Sequence, residues 1–424
     1  MNFIRGFLPP KGLGPITRKN YINVQIDAIG VGLANSASPF LPVFLVRLGA
    51  TALQVSLLTT MPAIAGLLFA IPLGRLLQGQ RRIIPWFSGS RLAVLSCYAV
   101  TGLLVFFVPQ DQLIVAILII WAIATIPQTL LAITFSVVMN AVAGPSGRFE
   151  LMTRRWSTMG LTTTITVLLI GQLLGQAGFP MNYQLMFIAL SIGGLISFYF
   201  SSHIILADAA PPIRTQSSNK NQVKEYLNQI KSQKPFTSFV AKRFVYLTGV
   251  SLAAPLFPIY FVREIQVSDK WIASITVIQS AVMILGYYFW TRRSRSRGTR
   301  YTLLWTTFGL SFYPILTAFT HQPWIIAIYA GMAGIFQAGL DLVFFDELLK
   351  TVPPQYSATF VSFAQSIQYV SAIASPLIGS YLAVHLGIST ALVISGGIRL
   401  VGFSLFLLGG KSQNEPVPEV LSSG

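Results

Sequence analysis

The stretch PFLPVFLVR at residues 39–47 has a near copy, PLFPIYFVR, at residues 255–263. Both prolines and the arginine recur at the same internal spacing, and the two copies lie 216 residues apart. Each copy closes a long apolar run. A motif repeated in this way indicates that the chain consists of two related halves.

The composition around this motif is that of a membrane protein. Of the 424 residues, 53% are hydrophobic and 10% are charged, whereas soluble domains carry about 25% charged residues. A helix needs roughly 20 apolar residues to cross a hydrocarbon core of about 30 Å, and helices are expected because the backbone must satisfy its own hydrogen bonds in lipid. The twelve predicted spans, numbered in chain order, lie near residues 20–47, 51–77, 83–108, 113–142, 155–177, 183–206, 237–263, 268–291, 300–320, 323–350, 357–386 and 389–409.

A second repeated pair supports two halves of six spans each. Pro145 and Gly171 match Pro353 and Gly379 at a spacing of 208 residues, and they flank spans 5 and 11. The linker between the halves ends in a basic segment, typical either of an amphipathic surface helix or of a solvated linker. The predicted parts are an N-terminal cytoplasmic segment, a six-helix bundle, a cytoplasmic linker, a second six-helix bundle and a cytoplasmic tail, at residues 1–19, 20–206, 207–236, 237–409 and 410–424.

The basic residues predict the orientation of the chain. Nearly all of the 29 Lys and Arg residues lie on the side of the two termini, whereas Arg47, Arg263 and Lys270 lie on the other side. Because cytoplasmic loops carry the excess of Lys and Arg, both termini are predicted to be cytoplasmic. The net charge of +17 predicts contact with anionic membrane lipids rather than with nucleic acid. We expect an integral protein of a bacterial plasma (inner) membrane.

Prolines mark the outer ends of spans 1 and 7. A proline removes a helical hydrogen bond and bends the helix. Pro39 and Pro42 in span 1, and Pro255 and Pro258 in span 7, therefore predict bends near the outer face. Such bends suit helices that close an outer gate.

Twelve spans in two halves, with both ends inside and a long central loop, resemble the major facilitator superfamily. The loop between spans 2 and 3, GRLLQGQRR, is similar to the gating-loop motif of that family at Gly74, Gly79, Arg81 and Arg82. Gln78 stands where the family usually has aspartate, so the charge of its inner gate is missing here. The resemblance implies an all-α fold of two pseudo-symmetric six-helix bundles. It also implies a central cavity lined by spans 1, 4, 7 and 10.

The sequence does not assign a subfamily. Span 4 carries no arginine, and span 5 has GQLLG at residues 171–175 instead of the Gly-Pro pattern of drug/proton antiporters. The substrate is therefore open at this point.

Charged residues inside spans are candidate functional residues, since each costs a few kcal/mol in the bilayer. Asp27 in span 1 is a candidate for proton coupling or for binding a cationic substrate. The competing interpretation is a structural ion pair with Arg91 of span 3 or with Arg243.

Asp341 in span 10 is a second candidate for the same two roles. It precedes Asp346 and Glu347, so it can also belong to a charged network near the inner surface. Arg399 in span 12 is expected to have a structural role, in which its long side chain reaches polar neighbours or Asp341.

Uncharged polar residues in the spans add weaker candidates, because such residues more often join helices than bind ligands. Gln128, beside Pro127 in span 4, is the strongest of them. The candidates for contacts with the substrate are Asn23, Asn35, Gln128, Gln337 and Gln365.

Signals for enzymatic activity are missing from the sequence. There is no GxxxxGK[ST] loop for a nucleotide and no GxSxG turn for a nucleophilic serine. His203, His321 and His385 lack the spacing of metal ligands, and the single Cys97 excludes a disulfide within the chain. We therefore predict no catalytic residue, no cofactor and no metal centre.

The sequence as a whole predicts a monomeric secondary active transporter that works by alternating access. It would move a neutral, amphipathic or cationic small organic solute, coupled to protons, in the direction of export. An uptake permease or a uniporter for a nutrient is the alternative among transporters. Two alternatives of other classes are a transport-inactive sensor or assembly protein and a membrane enzyme that acts on lipids.

Overall fold

The computed structural model describes residues 14–78, 80–174, 178–206, 232–351 and 357–409, which form helices and no strand. Ten of the described helical segments are long and apolar enough to cross a membrane by themselves. The helices are, in chain order, Pro15–Asn35, Phe40–Arg47, Ala52–Gln78, Ile84–Leu104, Gln110–Leu173, Met181–Ser202, Lys234–Ala253, Leu256–Ile259, the π-helical turn Tyr260–Glu264, Asp269–Arg297, Thr299–Ala318, Pro323–Thr351, Ser357–Leu386 and Ile388–Leu408.

These helices form the twelve spans of two six-helix bundles. Span 1 comprises the first two helices, and span 7 comprises the three pieces between Lys234 and Glu264. The molecule has a motif end, which carries residues 39–47 and 255–263, and an opposite end, where Pro15 begins span 1. Most of the predicted linker, both chain ends and Gly79 lie outside the described residues.

The helix Gln110–Leu173 supplies both span 4 and span 5. Its first and last parts, including Leu113 and Ile170, pack in a cluster with Phe44 at the motif end. Its middle part, including Val142, packs in a separate cluster with Tyr21 towards the opposite end. Residues 110–143 and 151–173 therefore run in opposite directions, as two neighbouring spans must.

Span 9 buries several hydroxyl side chains. Thr302, Thr306, Thr307 and Ser311 are buried in it. The hydroxyls of Thr306, Thr307 and Ser311 donate to the carbonyl four residues earlier, at 2.6–2.7 Å. This bonding to the helix's own backbone satisfies the hydroxyls without partners from other spans.

Both spans that carry the repeated motif are interrupted at it. Span 1 has a turn at residues 36–39, and Pro39 caps the helix that follows. Span 7 has a turn at residues 254–255, and Pro255 caps its next piece. Pro42 and Pro258 lie in the first turn after each break, where backbone N–H groups have no helical partner anyway.

Each half packs its first span tightly against its last. A Cβ atom at Gly30 of span 1 would lie 2.6 Å from the backbone of Gly193 in span 6. In the second half, a Cβ atom at Gly249 of span 7 would lie 2.7 Å from the carbonyl of Ser395 in span 12. Glycine lets helix backbones approach this closely. The first and last spans of each half are therefore joined by equivalent contacts.

The two halves meet along spans 2 and 11 and along spans 5 and 8. Near the motif end, a Cβ atom at Gly171 of span 5 would lie 2.2 Å from the Cβ of Ala273 in span 8. About halfway along span 2, Gly66 lies against the ring of Tyr369 in span 11. A Cβ atom at Gly66 would lie 2.8 Å from the Cζ atom of that ring. The halves are therefore packed together from the motif end to about mid-depth.

Candidate functional site

An ion pair joins the two halves at the motif end. The Arg47 guanidinium donates to the Asp269 carboxylate at 2.8 and 3.1 Å and to the carbonyl of Val267 at 3.1 Å. The hydroxyl of Tyr183, at the start of span 6, donates to the same carboxylate oxygen at 2.6 Å. The side chains of Arg47 and Asp269 are 27% and 14% exposed, so the pair is partly shielded from water.

The second copy of the motif makes the reciprocal contact. Arg263, which matches Arg47, donates across the boundary to the carbonyl of Ala50 in the first half. Beside it, the hydroxyl of Ser380 in span 11 donates to the carbonyl of Ala52 at 2.9 Å. In each half, the arginine of the motif therefore donates hydrogen bonds to residues of the other half.

Asp27 lies at the centre of a buried cluster inside the first half. Its carboxylate accepts from Arg91 of span 3 at 3.4 Å and from Arg155 of span 5 at 3.2 Å. The hydroxyl of Ser197 in span 6 donates to its other oxygen at 2.5 Å. Asp27 has no exposed surface, and both guanidiniums are buried. This geometry is that of an ion-paired junction between four helices.

Two of these buried guanidiniums also lie over aromatic rings. The Arg91 guanidinium carbon is 4.9 Å from the ring centre of Phe87, and that of Arg155 is 4.7 Å from the ring centre of Phe135. A cation over an aromatic face is stabilised by the ring quadrupole. The second positive charge of the cluster, which Asp27 alone does not neutralise, is therefore partly compensated by these rings.

Asp341 of span 10 has a different environment from Asp27. Its carboxylate accepts from the Tyr287 hydroxyl of span 8 at 3.0 Å and from the Gln337 amide at 2.7 Å. Both donors are uncharged, and Asp341 is exposed. The structure therefore brings Gln337 and Asp341 together. The Asp341 carboxylate has uncharged hydrogen-bond partners and lies at the surface of the protein.

The acidic residues that follow Asp341 form a separate cluster at the end of span 10. The Lys350 ammonium lies 2.7 Å from Asp346 and 3.2 Å from Glu347. Partial burial alone would lower the pKa of Lys350, but its hydrogen bond to Asp346 and the charge of Glu347 outweigh burial and raise that pKa. Asp346 and Glu347 are thus engaged with Lys350, and Asp341 is not part of that network.

The remaining intramembrane cations have partners other than the predicted carboxylates. The buried guanidinium of Arg399 donates to the carbonyl of Leu310 at 3.3 Å, and Asp341 is not its partner. Arg243 donates to the Gln368 amide at 3.0 Å within the second half, away from Asp27. The suggested pairs Arg399–Asp341 and Arg243–Asp27 are therefore wrong.

The polar candidates of the first half are dispersed. Asn23 is buried and donates to the carbonyl of His203 at 2.9 Å, which ties span 1 to the end of span 6. Asn35 is half-buried at the break in span 1, where its carbonyl accepts from the backbone of Ser38. Gln128 is half-buried in span 4.

The other predicted residues lie towards the opposite end. Gln365 is exposed on span 11, and Arg81 and Arg82 are exposed just before span 3. Gly74 and Gln78 lie in the last turns of span 2, whereas Gly79 lies outside the described residues.

Sequence reasoning missed three residues of these clusters. Arg155 follows a loop-like segment and another arginine, a pattern typical of surface charges, yet it is buried. Asp269 stands in the first turn of span 8 and looked like an ordinary boundary residue. Tyr287 carried no signal, because a tyrosine in a span is as typical of lipid contact as of a polar site.

Comparisons with known proteins agree with this architecture. Residues 243–422 match the family model described as Major Facilitator Superfamily. The multidrug resistance protein MdtG of Serratia proteamaculans (strain 568) is 30% identical over 189 residues, which are 42% of this chain and 45% of that protein. The matched region thus spans less than half the length of that relative.

Three solved transporter structures share the fold over nearly the whole chain. A mutant of the nucleoside transporter NupG has a TM-score of 0.69 at 11% identity, over 92% of this chain and 100% of that one. A bacterial metal transporter has a TM-score of 0.64 at 13% identity, over 94% and 99%. A bacterial homologue of the iron transporter ferroportin, in an inward-facing state, has a TM-score of 0.71 at 13% identity, over 92% and 98%. The second half therefore matches the Major Facilitator Superfamily model, and both halves share the fold of these solved transporters.

Proposed function

We propose that this chain is a secondary active transporter that moves a small organic solute by alternating access. The observation that carries the proposal is the reciprocal closure at the motif end, where Arg47 and Arg263 each reach the opposite half. Contacts of this kind hold one end of a two-bundle transporter shut while the other end admits the solute. Their hydrogen bonds can break and reform without unfolding either bundle.

The proposed resting state is open towards the cytoplasm. Among the described residues, the halves approach closely at Gly171 and Ala273 near the motif end and at Gly66 and Tyr369 about halfway along span 2. The bias of basic residues supports an outer position for the motif end and a cytoplasmic position for both termini. The fold likeness to a transporter in an inward-facing state is consistent with this assignment.

Asp341 is the proposed coupling residue, and Asp27 is the proposed structural one. Protonation of Asp27 would leave two buried guanidiniums without their carboxylate, which is energetically costly. Asp341 is exposed and has uncharged partners, so it can gain or lose a proton, or meet a cationic solute, without leaving a buried cation unpaired.

The proposed substrate is a neutral, amphipathic or cationic organic molecule, and the proposed direction is export. Recognition of a polyanion would require several cationic side chains in the cavity. The guanidiniums of Arg91 and Arg155 are instead paired with Asp27 in a buried junction. The similarity to a protein described as a multidrug resistance protein favours organic solutes and export.

The test is solute-evoked proton movement in proteoliposomes that contain a pH dye. Wild type, Asp341→Asn and Asp111→Asn would be challenged with sugars, amino acids, organic cations and amphipathic drugs. Asp111 is an exposed acid at the start of span 4 and serves as the matched control. We expect a pH change with one solute class, lost in Asp341→Asn and kept in Asp111→Asn.

Two results would contradict parts of this proposal. A pH change that survives in Asp341→Asn would remove Asp341 from coupling. The absence of any labelled-solute flux in wild type, for the whole panel and in both directions, would contradict transport and favour a sensor or assembly role.

A further inference from the structure

A lateral groove opens between the two halves near the motif end. It has a volume of about 500 Å³, which is within the usual range of ligand sites. Spans 5 and 8 form its walls. The residues that line it include Leu168, Gly171, Gln172, Lys270, Ser274 and Val277.

The groove runs from the membrane surface into the hydrocarbon region. Lys270 is the second residue of the helix Asp269–Arg297, at the boundary of span 8. Val277 is seven residues further, which is about 10 Å deeper at 1.5 Å per residue. On the other wall, Leu168 lies one turn deeper than Gln172 and is exposed. The groove is thus polar at its shallow end and apolar at its deep end.

Lys270 leaves a positive charge at the shallow end. Its side chain is exposed, and its carbonyl accepts from the hydroxyl of Ser274 at 2.8 Å. The neighbouring carboxylate of Asp269 is engaged by Arg47 and Tyr183. Among the described residues, no carboxylate lies within ion-pair distance of the Lys270 ammonium. A complementary ligand therefore combines an anionic group with an apolar chain.

We propose that this groove binds one anionic phospholipid from the leaflet at the motif end. Its phosphate contacts Lys270 and Gln172, and one acyl chain covers Leu168 and Val277. A bilayer supplies this ligand at high local concentration, and a cationic side chain near its surface attracts anionic lipid.

The lipid would also favour one conformation, an inference that rests on the proposed function. The floor of the groove is the close approach of Gly171 to Ala273, which exists because the halves are packed together at the motif end. Opening of that end would separate spans 5 and 8 and remove the floor. A ligand that binds one of two conformations stabilises that conformation, so bound lipid holds the motif end closed.

The test measures lipid retention by native mass spectrometry on the full chain in detergent, titrated with phosphatidylglycerol or phosphatidylcholine. Lys270→Gln removes the charge, and Ser274→Phe fills the groove without changing the charge. Lys234→Gln is the matched control, since Lys234 is also an exposed lysine in the first turn of a span, at the opposite end. We expect about fivefold weaker phosphatidylglycerol binding at one site in Lys270→Gln, loss in Ser274→Phe and no change in Lys234→Gln.

Three results would overturn the proposal. One is equal phosphatidylglycerol retention by wild type and Lys270→Gln. Another is equal retention of phosphatidylglycerol and phosphatidylcholine by wild type. The third is full displacement of phosphatidylglycerol by an equal concentration of glycerol phosphate, which would reduce the site to one for free phosphate. The readout is binding, so these results are independent of whether the chain transports a solute.

Discussion

The Arg47 guanidinium lies 2.8 Å from the Asp269 carboxylate, and this ion pair joins span 1 of the first half to span 8 of the second. Among the described residues, the acceptor of the matching arginine, Arg263, is a backbone carbonyl, that of Ala50. Each half therefore contributes one arginine to the other half, but Arg47 binds a carboxylate whereas Arg263 binds a carbonyl. One side carries a charge-assisted bond, which is the stronger kind.

Asp269→Asn is expected to loosen the motif end. Loss of a partly buried, charge-assisted pair costs about 1.5 kcal/mol, which is about tenfold in the equilibrium between closed and open ends. The measurement is alkylation of Ser380→Cys, in a Cys97→Ser background, by an impermeant maleimide added from the motif side. Ser380 is buried against Ala52 in the closed end, so faster alkylation reports opening.

Asp111→Asn is the control for this experiment, since it removes an exposed acid at the same end. Alkylation rates that are equal in wild type and in Asp269→Asn would show that the ion pair does not hold this end closed.

Arg263→Gln is expected to open the motif end less than Arg47→Gln does, because it loses a neutral acceptor rather than a carboxylate. Arg47→Gln combined with Asp269→Asn should cost little more than either change alone, since both remove one interaction. Arg263→Gln combined with Asp269→Asn should be additive. The same alkylation assay measures all five variants. Additivity of the Arg47 and Asp269 changes would contradict their direct coupling.

Asp27→Asn is expected to destabilise the first bundle. It leaves the buried guanidiniums of Arg91 and Arg155 without a carboxylate, and breaking a buried pair in this way costs about 3–5 kcal/mol. Thermal unfolding in detergent should show a clearly lower Tm. Asp341→Asn is the control, since its carboxylate is exposed and has uncharged partners. An unchanged Tm in Asp27→Asn would argue that the cluster is not a structural junction.

Arg155→Met, added to Asp27→Asn, is expected to restore part of the stability of the first bundle. It removes one of the two unpaired cations, so part of the lost stability should return. Failure of the rescue, with Asp27→Asn itself unstable, would mean that the loss arises from the Ser197 hydrogen bond rather than from the guanidiniums.

Much of the fold was predictable because it depends on local pattern. Long apolar runs predicted the spans, and the repeated motif predicted both the two halves and the breaks beside Pro39 and Pro255. Hydrophobic runs and prolines act within one helix, so a single sequence records them directly.

The partners of the charged residues were much less predictable. Asp269 is 222 residues from Arg47, and nothing in either segment specifies the other. Arg155 follows a polar, glycine-containing segment, which is typical of a surface loop, but it is buried in the helix Gln110–Leu173. Such pairings depend on how bundles pack, which local periodicity does not encode.

Gly171→Ala is expected to force spans 5 and 8 apart at the motif end. Its Cβ would lie 2.2 Å from that of Ala273, and overpacking of this kind costs about 1–3 kcal/mol. Ser380→Cys alkylation should become faster. Ala273→Gly in the same protein should restore the slow rate by removing the clashing atom. A slow rate in Gly171→Ala alone would mean that the two helices are not in contact in the resting protein.

The central claim is that transport requires the motif end to open and close. A disulfide between Ala52→Cys and Ser380→Cys, in the Cys97→Ser background, joins the halves where the Ser380 hydroxyl now contacts the Ala52 carbonyl. Flux of the solute identified in proteoliposomes should stop on oxidation and return on reduction, while each single-cysteine variant is unaffected by oxidant. Undiminished flux through fully cross-linked protein would contradict alternating access at this end.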